Sequence, residues 1–420
     1  MQLKLVSLLG MCVLLGLAWA CSAHRKKFPW RTVGWGLGLQ FTFALIILKT
    51  GPGRKLFEVA GAAVNRISEF ANEGSKMVFG PLADATALQG AFGPDAFIFA
   101  ITVTATIILV AALSALLYHW QILQKVVHSM AWVMRRAMKT SGSETLAAAA
   151  NIFMGQTEAP LVIKPYIARM TRSELLCLMT GGMATIAGGV AAAYAQMGLA
   201  SGHPEMAGHL LSASVMSAPA ALMITKIILP ETEVSETASG RMVDPERTSL
   251  NSIDALCRGT SDGLQLALNV IAMLIAFVAV VALANFCLKW PQEYWGVTDP
   301  VTLQKLFGWI NAPFAWLLGV PARDCVTIGQ VLGERIVLNE FVGYLTLTNP
   351  ETVVEPRSFI LATYALCGFA NFSSIAIQIG GIGALAPGRR DDLARLGWRA
   401  MIGGLISCYL TATVVGILLD

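Results

Sequence analysis

The chain has 420 residues, 55% of them hydrophobic and 13% charged, with a formal net charge of +4 and a mean hydropathy of +0.63. Soluble domains carry about 25% charged residues, so this composition excludes an ordinary water-facing globule. No basic patch is interleaved with aromatics, the eight cysteines form no CxxC pair and the five histidines show no HExxH spacing, which argues against nucleic-acid, redox and metal chemistry.

In chain order, the first uncharged run (5–23) precedes the basic string "HRKK" (24–27). A signal peptide carries its basic residues before the apolar stretch, so this run reads as a retained helix whose C-terminal end is cytoplasmic. A second run, 32–48, contains "GWGLG" (34–38), which allows close helix approach. With the amphipathic piece 52–75 these form an N-terminal unit, 1–95, either a scaffold or oligomer contact or ordinary packing. Further apolar runs cover 96–118, 175–202, 206–230, 263–288, 358–388 and 401–419. Crossing a hydrocarbon core of about 30 Å takes about 20 helical residues, so the chain reads as an all-α polytopic membrane protein with about eight transmembrane helices.

Two stretches do not fit as spans. Residues 146–157 are uncharged for only 12 residues and end in "GQTE". Gly155 and Pro160 bracket a place where a helix must break, so 143–170 reads as a re-entrant hairpin. Residues 323–348 repeat the pattern, with Asn339 and Glu340 between two helical pieces. The order then recurs. Span, amphipathic segment, hairpin, span and span fill 96–230, and the same series fills 263–420 after a cytoplasmic linker, 231–262. "TIAGG" (185–189) answers "SIAIQIGG" (374–381). Three spans per unit is an odd number, so the second unit lies inverted, the architecture of secondary transporters.

Lys and Arg mark the cytoplasmic side. Threading the spans puts Arg25, Lys26 and Lys27, then Arg135, Arg136 and Lys139, then Arg389, Arg390, Arg395 and Arg399 on one side, with both termini on the other. Lys49, Arg54 and Lys55 run against this bias.

A charged side chain at bilayer depth costs about 2.5–3.5 kcal/mol on the mild insertion scales. One way to offset this is an ion pair, Glu158 with Lys164 or Glu340 with Arg335. The other is a hydrophilic substrate, because broken helices leave backbone groups without partners. Gln156, Thr157, Glu158, Asn339 and Glu340, joined by Asn371, Ser373 and Ser374 of "GFANFSS" (368–374), offer amides, hydroxyls and two acids beside Phe369 and Phe372. Without an Arg or Lys cluster this suits a neutral polyhydroxylated solute with an aromatic part. "GGMATIAGG" (181–189) beside "NIFMG" (151–155) offers uncharged oxygen ligands for a cation such as Na⁺, or only close glycine packing.

"NIFMGQTEAPLVIKPY", "GGMATIAGGVAAAY", "SAPAALMITKIILPETE", "NEFVGY" and "CGFANFSSIAIQIGGIGALAP" resemble the concentrative nucleoside transporter family, over almost the whole chain and most like its bacterial members. The resemblance implies an elevator-type symporter, a homotrimer in the bacterial inner membrane, importing nucleosides with Na⁺ or, in some members, H⁺. It implies base contacts from Gln156, Thr157 and Glu158, flanking of the base by Val190 and Phe369, and ribose contacts from Glu340, Asn371 and Ser374. Leu264 or Leu266 lines the base pocket. A Na⁺ site falls on Asn151, Met154, Thr185 and Ile186.

The function expected is a Na⁺-coupled nucleoside importer and not an enzyme, with a nucleoside and the lipid bilayer as its partners. The alternatives are H⁺ coupling through Glu158 or Glu340, and an intramembrane enzyme using that acid pair. The sequence holds no nucleophile–base pair to support the second.

Overall fold

The computed structural model describes residues 2–92, 98–238 and 249–419. The first two residues of the expected span 96–118 and residues 239–248 of the expected linker lie outside them. The described residues fold into helices without a strand.

The N-terminal part comprises α1 (Gln2–Ala20), α2 (Trp30–Lys49), α3 (Gly51–Phe79) and α4 (Ala85–Phe92). The first repeat unit holds α5 (Phe99–His119), α6 (Ile122–Met138), α7 (Gly142–Asn151), α8 (Ala159–Val162), α9 (Lys164–Ile167), α10 (Arg172–Ala184), α11 (Gly188–Ala200) and α12 (Met206–Ile228). The second holds α13 (Ser252–Tyr294), α14 (Leu303–Leu318), α15 (Cys325–Val337), α16 (Glu340–Leu347), α17 (Pro356–Leu366), α18 (Phe372–Leu385) and α19 (Arg390–Leu418).

Among the described residues six stretches are long and apolar enough to cross a membrane: α1, α2, α10 with α11, α12, α13, and Pro387–Leu418, which contains α19. Helix α5, bent by 76° from α6, brings these to seven if the bent pair is one crossing, and the eighth expected span, 358–388, is divided into the shorter helices α17 and α18. The short helices α7, α8 and α9 make the first hairpin, and α15 with α16 the second.

Local chemistry sets these boundaries. Ser141 and Glu144 form a capping box at the start of α7, and Thr171 with Glu174 forms one at α10. Asn251 accepts from the Asp254 N–H at 2.9 Å and starts α13 at Ser252, before the uncharged run begins at 263. Small residues govern the crossings. A Cβ on Gly329 would sit 2.5 Å from the Gly308 carbonyl, so α14 and α15 touch backbone to backbone. Gly259 and Gly263 do the same for α13 against α5.

The base of the first hairpin is fastened by charge. Lys226 Nζ lies 2.6 Å from Glu144 and 3.3 Å from Glu231, and donates to Ser173 Oγ at 2.9 Å. The chain after α12 turns back over this cluster, where the Thr237 carbonyl accepts from the Gly142 N–H at 3.0 Å. Every residue of α7 is buried. By contrast α13 is largely exposed along Ile275, Val278, Leu283 and Phe286, a surface suited to lipid or to another copy of the chain.

Candidate substrate site

Two helices break in the middle of the bundle, α10/α11 at 185–187 and α17/α18 at 367–371. They cross there: the Phe369 N–H donates to the Thr185 carbonyl at 3.3 Å. A Cβ on Gly368 would lie 2.7 Å from the Met183 carbonyl and 2.6 Å from Cys408 Sγ, so only glycine fits this crossing. The break at 367–371 lies in "GFANFSS"; the one at 185–187 divides a run read from sequence as one span.

Both hairpin tips are tied to the first turn of α18. Asn371 caps that helix, its Oδ1 accepting from the Ser374 N–H at 2.9 Å and from Ser373 Oγ at 2.7 Å. Its Nδ2 donates to Glu340 Oε2 at 2.9 Å, which attaches the second hairpin. Gln156 of the first hairpin donates from Nε2 to Ser374 Oγ at 3.1 Å. Glu340, Asn371, Ser374 and Gln156 are all buried. Glu340 begins α16, whose N-cap Asn339 accepts from the Val342 N–H at 3.0 Å. Its carboxylate thus faces the positive ends of α16 and α18, which helps to hold a charge away from water.

No ion pair joins Glu340 to Arg335 or Glu158 to Lys164 among the described residues. Fully buried Arg335 donates instead to the Ala365 carbonyl at 2.6 Å and to Cys408 Sγ at 3.1 Å. Glu158 accepts from the Gly155 N–H at 3.2 Å and is exposed to open space. That space is a cavity of about 540 Å³ between the first hairpin, α5 and α13, with Met154, Glu158, Gly189, Asp262 and Leu266 in its wall. Its volume falls in the range typical of small-molecule sites, about 300–1,000 Å³. The cavity reaches Tyr118 and Ser249, the end of the fold where α5 meets α6. Thr157 packs against α18 at Gly381 and is exposed. Val190 is buried in the first turn of α11, and Phe369 is half-buried.

Asn151 ends α7, is 1% exposed, and neither its Oδ1 nor its Nδ2 has a hydrogen-bond partner. Its amide lies against Gly181, whose carbonyl accepts from Thr185 Oγ1 at 3.0 Å. A buried amide oxygen without a donor is costly unless something else meets it. Thr185 and Ile186 are buried at the same helix break, and Met154 is half-buried on the tip.

Two participants escaped sequence reasoning. Tyr194 donates to Glu340 Oε1 at 2.9 Å and is wedged between Phe341 and Tyr344 of the second hairpin. Gln378 donates from Nε2 to Gln156 Oε1 at 3.1 Å. Each lies in an apolar run, and for Gln378 the signal available was an uncharged amide that far inside a span.

A membrane-embedded inverted repeat with two re-entrant hairpins and broken helices meeting at a polar centre defines a secondary transporter. Family models described as Na⁺ dependent nucleoside transporter N-terminus, Nucleoside recognition (Gate), and Na⁺ dependent nucleoside transporter C-terminus match residues 9–82, 100–201 and 209–416. An uncharacterized transporter of Haemophilus influenzae is 42% identical over 98% of this chain and 97% of its own. Sodium/nucleoside cotransporter 1 of Rattus norvegicus is 38% identical over 99% of this chain and 64% of its own. The structure of CNTnw in an inward-facing substrate-bound state superposes with a TM-score of 0.91 at 37% identity, covering 99% of this chain and 97% of that one. The chain belongs to the concentrative nucleoside transporter family, whose members are transporters and not enzymes.

Proposed function

We propose that the chain is a Na⁺-coupled symporter that carries nucleosides such as uridine into the cell by an elevator movement of the hairpin domain. It works as a homotrimer in a bacterial inner membrane, with both termini periplasmic. The observation that carries this reading is the joining of both hairpin tips, through Gln156 and Glu340, to Ser374 and Asn371 of one broken helix.

In this reading Glu340, Asn371 and Ser374 bind the ribose hydroxyls, with Tyr194 holding the far side of the Glu340 carboxylate. Gln156, Thr157 and Glu158 address the base, and Val190 and Phe369 flank it. Leu266 stands on the cavity wall while Leu264 does not, which favours Leu266 as the leucine beside the base. Asn151, Met154, Thr185 and Ile186 bind Na⁺, and the unpartnered Asn151 amide supports that placement. The cavity beyond Glu158 is read as the cytoplasmic exit, because it reaches Tyr118, Ser249 and Arg258, at the ends of segments 119–145 and 231–262 read as cytoplasmic. Na⁺ at the end of α7 steadies the tip that carries Gln156, so each ligand favours the other by the same coupling energy, typically about 1–3 kcal/mol.

Radiolabelled uridine uptake into proteoliposomes, with Na⁺, pH and voltage varied separately, tests the proposal. Inward uptake driven by a Na⁺ gradient is expected. Uptake that follows pH alone moves coupling to a carboxyl group, and recovery of a chemically altered solute points to an enzyme.

A further inference from the structure

Gln378 sits on α18 one helical turn beyond Ser374, fully buried, in the run "IAIQIGG". Its Nε2 donates to the Met179 carbonyl at 3.0 Å as well as to Gln156 Oε1 at 3.1 Å. Its own Oε1 has no partner, an arrangement that costs stability and so calls for another reason. Gly182 makes room for the contact, because a Cβ there would lie 2.8 Å from Gln378 Nε2 and 2.9 Å from Gln156 Cβ.

The direction of these bonds follows from one atom. The Met179 carbonyl can only accept, so the Gln378 atom facing it must be the amide nitrogen. The same nitrogen faces Gln156, which must therefore present oxygen there and turn its nitrogen to Ser374. Ser374 then accepts at Oγ and keeps its own O–H free to donate.

We infer that Gln378 is a positioning residue for base selectivity: it passes the fixed polarity of the α10 backbone to the Gln156 amide and so sets which side of Gln156 donates and which accepts. The inference rests on the nucleoside reading above, in which Gln156 meets the base. Uracil and cytosine offer opposite donor and acceptor patterns on one edge of the same ring. An amide locked in one orientation discriminates between them, and a freely turning amide adapts to either.

The test is Gln378→Met, which keeps the length and loses the amide, with Gln378→Glu as a second variant that keeps the shape. Competition of uridine, cytidine and 2′-deoxyuridine is measured on the full-length transporter in proteoliposomes. The parent should prefer one of uridine and cytidine, and the variants should move that ratio toward unity by about three- to tenfold, the worth of one net hydrogen bond. The uridine to 2′-deoxyuridine ratio should stay at the parent value, whereas a merely structural role would weaken all three substrates alike. A parent that takes uridine and cytidine equally, or a folded variant with the parent ratio, overturns the inference. A parent that takes up no nucleoside overturns the function reading first and this inference with it.

Discussion

The Phe369 N–H and the Thr185 carbonyl bond to each other at 3.3 Å, so the two broken helices meet at their breaks. One residue is proposed to flank the nucleobase and the other to hold Na⁺. The proposed substrate and cation positions therefore share a backbone contact at this crossing.

Thr185→Val keeps the side-chain shape and removes the hydroxyl that donates to Gly181. Na⁺ stimulation of uridine uptake should weaken, with the half-saturating Na⁺ concentration rising several-fold while the protein stays folded. Unchanged sodium dependence would count against a cation at this break.

Glu340→Gln leaves the carboxylate's place filled but removes its charge, and one of its two acceptor atoms becomes a donor facing Tyr194 or Asn371. Hydrogen bonds to charged groups are worth about 1.5–3 kcal/mol, so uridine affinity should fall by roughly 10- to 100-fold. Equilibrium binding to purified protein is the check, and parent-like affinity would remove Glu340 from the ribose site.

Gly368→Ala puts a methyl group against the Met183 carbonyl and Cys408. Overpacking costs about 1–3 kcal/mol, and here it falls on the crossing itself. Both thermal stability in detergent and uridine binding should drop. A variant that melts and binds like the parent would show that the helices do not cross so closely.

Lys226→Met strands the Glu144 carboxylate, which is 2% exposed, at the base of the first hairpin. Breaking a buried pair from one side costs about 3–5 kcal/mol, and neutralising the partner recovers much of it. A large fall in melting temperature is expected for Lys226→Met, with partial recovery in Lys226→Met/Glu144→Gln. Equal melting of the two variants would mean that the pair is not coupled.

Much of this was readable from sequence because breaks in a membrane helix need punctuation. Gly155 and Pro160 around Glu158, and Gly368 with the capping Asn371 in "GFANFSS", marked places where an apolar helix stops or starts. The break at 185–187 carries no proline, and the glycines on either side of it also read as packing residues. Gln378 and Tyr194 were silent for a different reason: a lone polar side chain does not interrupt a hydropathy run, and its meaning lies in a partner far away in the chain. The start of α13 was hidden because helices begin at caps such as Asn251, while uncharged runs begin where charge ends.

Helix α13 has 43 residues. At about 1.5 Å per residue it is roughly 65 Å long, about twice the thickness of the hydrocarbon it crosses. Across the cavity from Glu158 it presents Asp262, not far from one end. In the proposed elevator movement, a helix of that length could flank the first hairpin on both sides of the hydrocarbon, so one wall would serve the cargo at either end of the stroke.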